Sequence, residues 1–440
     1  MLINLSKFTG ALEKVTAFAS MERNPPGVLL DIQEDYINVC YSDGRKSIIE
    51  TVDAVVEDGD RKEKIVVDYN RLVDVISACQ PSGRIQTDDI EIIFNNDKEN
   101  TLNIKVEKKV SIGDDEDDSE QMTVSVFEQT LGWVPANANR KVAIISRMDY
   151  DSIFKEEDTD SWDIADFRKI LDKTTNEQGR VVYVSPSSKL AFVSNMAFMS
   201  CVPIESGYTY PMIFPTAIAK ALNEVLGKVG NRDSINIHLI DKKYCSIYTN
   251  DKKVGIWVEM VDANEMHLTT LKRYQSKEYK NYQVTLIREA LQNVINAALT
   301  ATKTDRTVLR FNIDEEGLPE LKITGDSSRA SVSNEYTIMC MECIDRDDNI
   351  EELELPVSLK VLLDILNKCE TDFVGIDIDI DESGSKSIRI AELDEDANEK
   401  MVEEVMNSLG IGEDDEIPTD EKLGYRDKVL GGRHYTLSAR

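Results

Sequence analysis

Hydrophobic and polar positions follow two spacings that alternate along the chain, one typical of helices and one typical of strands. Six segments place apolar residues at intervals of three and four, which predicts amphipathic helices. Asp163 precedes one of them as a predicted N-cap, and Pro215 lies in the predicted first turn of another. The six helices are predicted within residues 6–23, 68–84, 163–173, 215–232, 285–306 and 356–368.

Each predicted helix is followed by two runs of alternating or β-branched residues that end at turn residues, which is typical of strands. The runs are GVLLDIQ and YINVCYS, IEIIFNN and TLNIKVEKKV, RVVYVSP and KLAFVSN, INIHLID and CSIYTND, VLRFNID and LKITGDS, and VGIDIDID and KSIRIAEL. Because only a short turn separates the members of each pair, local hairpins are predicted and a parallel doubly wound fold is disfavoured. The predicted fold class is therefore α+β, with helices laid on sheets.

The unit of one helix and its strand pair occurs six times, and these units group into three larger modules. The modules are predicted as three domains of two halves each, spanning residues 1–138, 139–276 and 277–440. The third domain contains an acidic insertion at about 391–430, which includes the predicted helix NEKMVEEVMNSLG.

Acidic charge is distributed unevenly along the sequence. The 440 residues include 82 acidic and 51 basic ones, a net charge of -31, which taken alone argues against holding nucleic acid by bulk charge attraction. Residues 114–120 contain six carboxylates, and residues 391–430 contain fourteen acidic and four basic residues. Such runs are usually solvated loops or tails. The six predicted helices instead contain 16 basic and 11 acidic residues, so the sign of the charge is reversed on them.

The basic residues of the fourth predicted helix form a row. Lys220, Lys228 and Arg232 recur at multiples of four on the side opposite the apolar face. On any single helix such a row is most simply a solvated face. Its recurrence on six helices of an acidic chain favours a surface that contacts phosphates.

Several features predict a soluble intracellular protein. No apolar run approaches the roughly 18 residues needed to span a bilayer, and the start MLINLSKF lacks the build of a signal peptide. The seven cysteines are an odd number in a chain without an export signal, which predicts reduced thiols. The pair Cys340 and Cys343 lies in the strand-like run EYTIMCMECI without a second pair, so zinc or redox chemistry is disfavoured.

No recognisable catalytic motif is present. The three histidines lie in no motif, and the sequence has neither a phosphate-binding loop nor a nucleophile elbow. Asp377, Asp379 and Asp381 imitate half of a calcium loop, but the isoleucines between them indicate a strand. We therefore predict a non-enzymatic protein without a metal or cofactor. A metal-dependent nuclease is retained only as a minor alternative.

The order and spacing of five segments resemble those of the bacterial-type DNA polymerase sliding clamp, the β subunit of the replicative polymerase. The segments are KFTGALEKVTAFASMERNPPGVLLDI, IVVDYNRLVDVISACQPSGRIQ, YPMIFPTAIAKALNEVLG, KNYQVTLIREALQNVINAAL and the closing RHYTLSAR. The resemblance covers the chain from end to end, although no single motif is diagnostic.

The resemblance implies a homodimer closed head to tail into a ring, with helices lining the hole and sheets outside. Such a ring would slide on duplex DNA without sequence specificity, tether a DNA polymerase, have a clamp loader as a further partner and act in the cytoplasm without a membrane partner. The residues that the resemblance then places toward DNA are Lys14, Arg23, Arg71, Arg168, Lys169, Lys173, Lys220, Lys228, Arg232, Arg288, Lys303, Arg306, Lys360 and Lys368.

The resemblance also implies a partner-peptide pocket between the second and third domains. Its expected residues are Phe198, Met199, Met266, Leu268, Leu437 and Ala439. The family's Thr-Asp-Gly-His-Arg segment is replaced here by Ser194–Met199, and its Met-Pro-Met-like end by Leu437–Arg440. We therefore expect a different peptide preference, and this divergence would suit a phage-encoded clamp in a host cytoplasm. The main alternative is an acidic structural or DNA-mimic protein that keeps the fold without sliding on DNA.

Overall fold

The structure is a computed structural model of the chain. It describes residues 1–25, 27–55, 64–79, 89–95, 100–112, 120–135, 150–156, 158–174, 181–186, 189–194, 198–204, 208–229, 234–241, 243–261, 269, 272, 279, 282–301, 306–313, 319–326, 333–345, 353–382, 384, 386–393 and 430–437. These residues form two compact units, unit 1 with 1–168 and 217–261 and unit 2 with 169–216 and 262–440. The predicted domain boundaries at 138/139 and 276/277 lie outside the described residues.

All six predicted helices are confirmed, and the described residues contain one further short helix. The helices are α1 Leu5–Ala19, α2 Tyr69–Cys79, α3 Tyr150–Ile153, α4 Ile164–Thr174, α5 Thr216–Gly227, α6 Arg288–Ala301 and α7 Leu359–Leu366. The predicted start of α5 was wrong by one residue, because Pro215 ends the preceding strand.

Side-chain caps fix the starts of α4 and α7. Asp163 Oδ1 accepts hydrogen bonds from the backbone N–H groups of Ala165 at 2.7 Å and Asp166 at 3.1 Å, which confirms the predicted N-cap. Ser358 caps α7 in the same manner. Each cap satisfies backbone donors that have no partner within the first turn.

The described strands are β1 Leu2–Asn4, β2 Val28–Ile32, β3 Tyr36–Ser42, β4 Lys46–Val55, β5 Lys64–Val67, β6 Asp89–Asn95, β7 Thr101–Ile112, β8 Glu120–Pro135, β9 Asp160–Asp163, β10 Val181–Ser185, β11 Leu190–Ser194, β12 Phe198–Pro203, β13 Met212–Pro215, β14 Ser234–Ile240, β15 Tyr244–Thr249, β16 Val254–Glu259, β17 Tyr282–Ile287, β18 Arg306–Ile313, β19 Pro319–Asp326, β20 Ser333–Met339, β21 Glu342–Asp345, β22 Glu354–Ser358, β23 Phe373–Ile380, β24 Lys386–Leu393 and β25 Leu430–Leu437. All six predicted strand pairs are confirmed as antiparallel hairpins.

In unit 1, one sheet continues from the first predicted module into the second. Its twelve strands are ordered β1-β6-β7-β8-β5-β2-β3-β4-β16-β15-β14-β9, and β1 also pairs with β4. The junction is the antiparallel pair β4 and β16, in which Glu50 lies opposite Val254 and Lys46 opposite Val258. Backbone hydrogen bonds therefore join two segments that are about 200 residues apart in the chain.

In unit 2, a second sheet makes the corresponding join between the second and third modules. Its nine strands are ordered β13-β10-β11-β12-β25-β24-β23-β17-β21, and a separate sheet has the order β20-β19-β18-β22. The junction is β12 with the last strand β25, where Met199 lies opposite Tyr435 and Cys201 opposite Arg433. Both module junctions are thus made by strand pairing.

The helices bury the apolar faces that their spacing predicts. In α1, Phe8, Leu12, Val15 and Ala19 are all buried. Phe167 of α4 is also fully buried and packs edge-on against Trp162 of β9, with ring centroids 5.2 Å apart. Burial of these faces against the sheets is the main source of stability for such short helices.

The two acidic runs lie where hairpin strands are connected. Asp114–Asp118 separate β7 from β8, which pair with each other, and are outside the described residues. Residues 391–393 end β24 and Leu430 begins its partner β25, so the predicted insertion bounds were too wide. Residues 394–429, with the predicted helix, are outside the described part of the chain.

The run around Cys340 is not one continuous strand. It breaks between β20 and β21, which belong to different sheets. All seven cysteines are free of disulfide bonds, as predicted, and burial raises the pKa of Cys340 to about 12. Among the described residues no group of three or more His, Cys, Asp or Glu could hold a metal ion, and no described helix is long and apolar enough to cross a membrane.

A short strap, defined as Ser152–Glu156, lies against strands β14 and β15 of unit 1. Three of its residues accept side-chain hydrogen bonds at their backbone oxygens: Ser152 from His238 Nε2 at 2.9 Å, Ile153 from Ser246 Oγ at 2.7 Å and Lys155 from Tyr248 Oη at 2.6 Å. The His238 ring is buried, and its Nδ1 has no hydrogen-bond partner in the described structure. The ring is therefore held in its neutral form.

We expect His238 to make stability depend on pH. Desolvation lowers its pKa below the ordinary 6.5, against the opposing hydrogen bond to Ser152, and the charge of Lys155 lowers it further. Below pH 6.5 the unfolded chain binds a proton that the folded chain does not. The free energy of unfolding therefore decreases as the pH is lowered, by at most about 1.4 kcal/mol per pH unit. Chemical denaturation between pH 7.5 and 5.5 should show a smaller fall for His238→Gln, and equal falls would contradict this.

Candidate functional site

Six of the basic residues predicted to face DNA have exposed side chains. They are Arg23, Arg71, Arg168, Lys169, Lys220 and Lys360. Arg71 lies in the first turn of α2 and Lys220 in α5, both in unit 1. Their long side chains can reach phosphate oxygens while the apolar sides of the same helices remain packed.

The end of α5 is occupied by local contacts. Arg168 Nε donates to Asn223 Oδ1 at 3.1 Å, and its Nη2 lies 3.0 Å from where a Cβ on Gly227 would be. Lys228 is about one-third exposed and pairs with Glu224 at 2.9 Å, one turn earlier. Arg168 and Lys228 are therefore partly committed within the protein, whereas Lys220 points into solvent.

The prediction that Lys14 contacts DNA was wrong. Its side chain is 6% exposed and its Nζ lies 2.9 Å from Glu50 Oε1 on β4. The same Nζ donates to the Gly10 backbone oxygen at 3.3 Å. A buried ammonium needs such partners, and here they join α1 to its own sheet.

Lys173 is likewise buried and was wrongly predicted to face DNA. Its Nζ donates to both carboxylate oxygens of Glu392 on β24 at 2.9 Å, and both side chains are at most 5% exposed. This pair joins α4, from the second predicted module, to a strand of the third within unit 2. Its role is therefore structural.

Glu370 further reduces the free positive charge on α4. It lies 2.6 Å from Lys169 Nζ and 3.4 Å from Lys173 Nζ. Partial burial would raise the pKa of Glu370, but the hydrogen bond from Lys169 and the charge of Lys173 outweigh it and lower the pKa. Glu370 thus stays ionised at neutral pH, and Lys169 is exposed but paired.

Other predicted DNA-facing residues make structural contacts or lie outside the described side chains. Arg288 is half-buried and its Nη1 donates to the backbone oxygen of Cys369 at 2.7 Å. Lys368 Nζ donates to the Asp172 backbone oxygen at 3.4 Å. Arg232 and Lys303 are outside the described residues, and Arg306 begins β18 with a side chain that is not described.

The helices therefore carry a smaller basic surplus than their predicted ranges. Within the six longer helices as the structure bounds them, nine residues are basic and seven are acidic. Two of the nine, Lys14 and Lys173, are neutralised by buried carboxylates. The helices are nearly neutral in a chain of net charge -31, which suits weak contact with a polyanion.

The predicted partner pocket maps to strands β12 and β25 of unit 2. Phe198 lies opposite Thr436, the residue before Leu437, so the backbones of Phe198 and Leu437 lie on neighbouring strands. The side chains of these two residues are not described, and Met266, Leu268 and Ala439 are outside the described residues. Met199 is fully buried, so it does not present a free surface to a partner.

Sequence reasoning missed a buried polar group on the same face of this sheet. Tyr435 lies opposite both Met199 and Arg389, and Arg389 lies opposite Asp377. Arg389 Nε and Nη2 are each 2.9 Å from Asp377 Oδ2, and both side chains are at most 3% exposed. Tyr279 covers Arg389, with the ring centroid 4.8 Å from the guanidinium carbon.

One signal in the sequence could have located this group. VGIDIDID and KSIRIAEL both place charged residues alternately with isoleucine, and neighbouring hairpin strands put the like positions on one face. The structure confirms that Asp377 belongs to a strand and not to a calcium loop.

Comparison with known proteins identifies the fold. No protein-family model matches the chain, and no curated protein sequence does. Among solved structures, the DNA polymerase III β chain of Streptococcus pneumoniae is 13% identical with a TM-score of 0.69, and the β subunit of Pseudomonas aeruginosa is 15% identical with a TM-score of 0.67; each match covers 100% of this chain and 99% of the other. The β subunit of Thermotoga maritima is 13% identical with a TM-score of 0.66, covering 100% of this chain and 98% of that one. The chain therefore has the sliding-clamp fold over its full length.

Proposed function

We propose that this protein is a sliding clamp, a non-enzymatic processivity factor whose homodimer encircles duplex DNA and tethers a DNA polymerase. The observation that carries the proposal is the end-to-end likeness of the fold to the β subunits of DNA polymerase III. The structures compared are the polymerase's β subunits, so the partners proposed are DNA, the polymerase and a clamp loader.

The charge distribution supports this proposal. Weak phosphate contacts from residues such as Arg71 and Lys220 would let a ring slide, since strong contacts would hold it in place. Retention would then come from closure around DNA and not from affinity. An acidic surface elsewhere would limit adhesion of other DNA to the protein.

The proposed ring needs two chains. We expect native mass spectrometry to give a particle of about 99 kDa, because a closed head-to-tail dimer has twice the 49.6 kDa mass of the chain. The ring would be contradicted if the protein stays monomeric at micromolar concentration and its clamp loader fails to close it on DNA.

Topological binding separates this proposal from the acidic DNA-mimic alternative. After loading onto nicked circular DNA, the protein should remain bound in high salt and leave when the circle is cut. A DNA mimic would not be retained on the circle at all. Retention that is unchanged by cutting would contradict encirclement.

We also propose that the chain is phage-encoded and acts in a host cytoplasm. The departures at Ser194–Met199 and Leu437–Arg440 support this, because they change the segments that form the partner pocket in the family that the sequence resembles. Genome context around the coding sequence tests it.

A further inference from the structure

Tyr279 has an unusual backbone conformation. Its φ angle is 49°, in the left-handed region, which is unfavourable for a residue with a side chain. Asn and Asp occupy this region more readily than a bulky aromatic residue does. Such a conformation persists only where surrounding contacts hold it, and it is concentrated at ligand clamps and switches.

The contacts of the Tyr279 side chain account for its position. The ring is 1% exposed and joins the apolar cluster of Tyr183, Phe192, Met199 and Cys201 on strands β10–β12. On its other side it lies over the Arg389 guanidinium of β24. Gln283 Nε2 donates to the Tyr279 backbone oxygen at 3.3 Å.

The ring therefore bridges the strands on both sides of β25. Met199 on β12 and Arg389 on β24 both lie opposite Tyr435 of β25. Ser200, whose Oγ donates to the Lys173 backbone oxygen, faces helix α4, so Met199 and Cys201 face away from that helix. Tyr279 packs on the side of the junction that faces away from α4.

We propose that Tyr279 is an internal occupant of the partner site, and that a polymerase segment binds by displacing this ring and placing its own aromatic side chain over Arg389. The inference rests on the proposed function, because it identifies the partner as the polymerase. The Arg389 guanidinium engages Asp377 with its N–H edge and offers its flat face to a ring, so a second aromatic ring is the replacement that fits. Release of the strained backbone favours the exchange.

An internal occupant weakens partner binding in a calculable manner. The apparent Kd equals the intrinsic Kd divided by the fraction of molecules in which the site is open. If Tyr279 fills the site in about nine molecules out of ten, its removal tightens binding about tenfold.

Labelling of Cys201 tests whether Tyr279 covers the site. In the full chain, Tyr279→Asn removes the ring with a residue that tolerates the left-handed conformation, and Tyr279→Phe keeps the ring as the matched control. The three chains are treated with N-ethylmaleimide and analysed by mass spectrometry. Cys201 should be labelled about tenfold faster in the Asn variant than in the wild-type and Phe chains, because the ring no longer covers it. Equal rates in all three chains would overturn the proposal.

Buried Cys245 of unit 1 reports general unfolding in the same experiment. If Tyr279→Asn also exposes Cys245, the Cys201 labelling rate is measured in Tyr279→Leu instead, since leucine retains more of the buried apolar volume.

Affinity for the polymerase encoded in the same genome tests the displacement. Biolayer interferometry should give a Kd about tenfold lower for the Asn variant than for the wild-type and Phe chains. An unchanged or higher Kd overturns the inference while the proposed function stands. Absence of binding by all three chains contradicts the polymerase role, and the Cys201 rates then report separately on whether the ring covers the site.

Discussion

Replacing Arg71 and Lys220 together by glutamate should abolish most processive synthesis while leaving the folded dimer intact. Both side chains are exposed on helices, and within the part of the chain that the structure describes neither lies within 4.0 Å of a carboxylate. Reversal turns two attractive phosphate contacts into repulsive ones. For equilibrium binding to short duplex DNA, the slope of log K against log salt should become shallower by about 2 per chain.

A matched control separates local contact from total charge. Arg45→Glu with Lys189→Glu changes the net charge by the same amount, but these residues lie in hairpin turns of the sheets. Primer extension on a singly primed circle, with the loader and polymerase supplied, should show near wild-type product lengths for this control. Equal loss of processivity in both double variants would show that overall charge acts, and would refute a DNA-facing role for Arg71 and Lys220.

The helices and hairpins were predictable because their signals are local. Phe8, Leu12 and Val15 are spaced so that one side of a helix must be buried, and alternation in YINVCYS similarly requires a strand. The joins of β4 with β16 and of β12 with β25 carry no such signal. They depend on pairing between distant segments, which no local pattern in the sequence specifies.

The sequence could not predict which charged residues are buried, for the same reason. Lys173 looks like any basic residue on the polar side of a helix, because its partner Glu392 lies 219 residues later in the chain. Lys14 pairs with Glu50 across 36 residues. Composition counted both lysines as available charge, whereas the fold neutralises them. The candidate DNA surface consequently shrinks to residues such as Arg71 and Lys220, whose exposure the sequence could not establish.

Breaking the Lys173–Glu392 pair from one side should strongly destabilise the protein, because both side chains are buried. Glu392→Leu leaves the Lys173 ammonium without its bidentate partner. The Lys173 side chain is only 4% exposed, and among the described residues its Nζ then has only the Glu370 carboxylate, at 3.4 Å. Loss of one member of a buried ion pair typically costs about 3–5 kcal/mol. Denaturant unfolding of the variant should show a loss of this size.

Removing both charges should restore most of that stability, because the double variant Lys173→Met with Glu392→Leu leaves no unpaired charge in the interior. Apolar replacement of a whole buried pair is often neutral or stabilising by about 1–4 kcal/mol. The double variant should also stay bound to circular DNA as the wild type does, since Lys173 is buried and cannot reach a phosphate. If this folded double variant is no longer retained on circular DNA, Lys173 contacts DNA after all. If the two substitutions destabilise the protein additively, Lys173 and Glu392 are not energetically coupled.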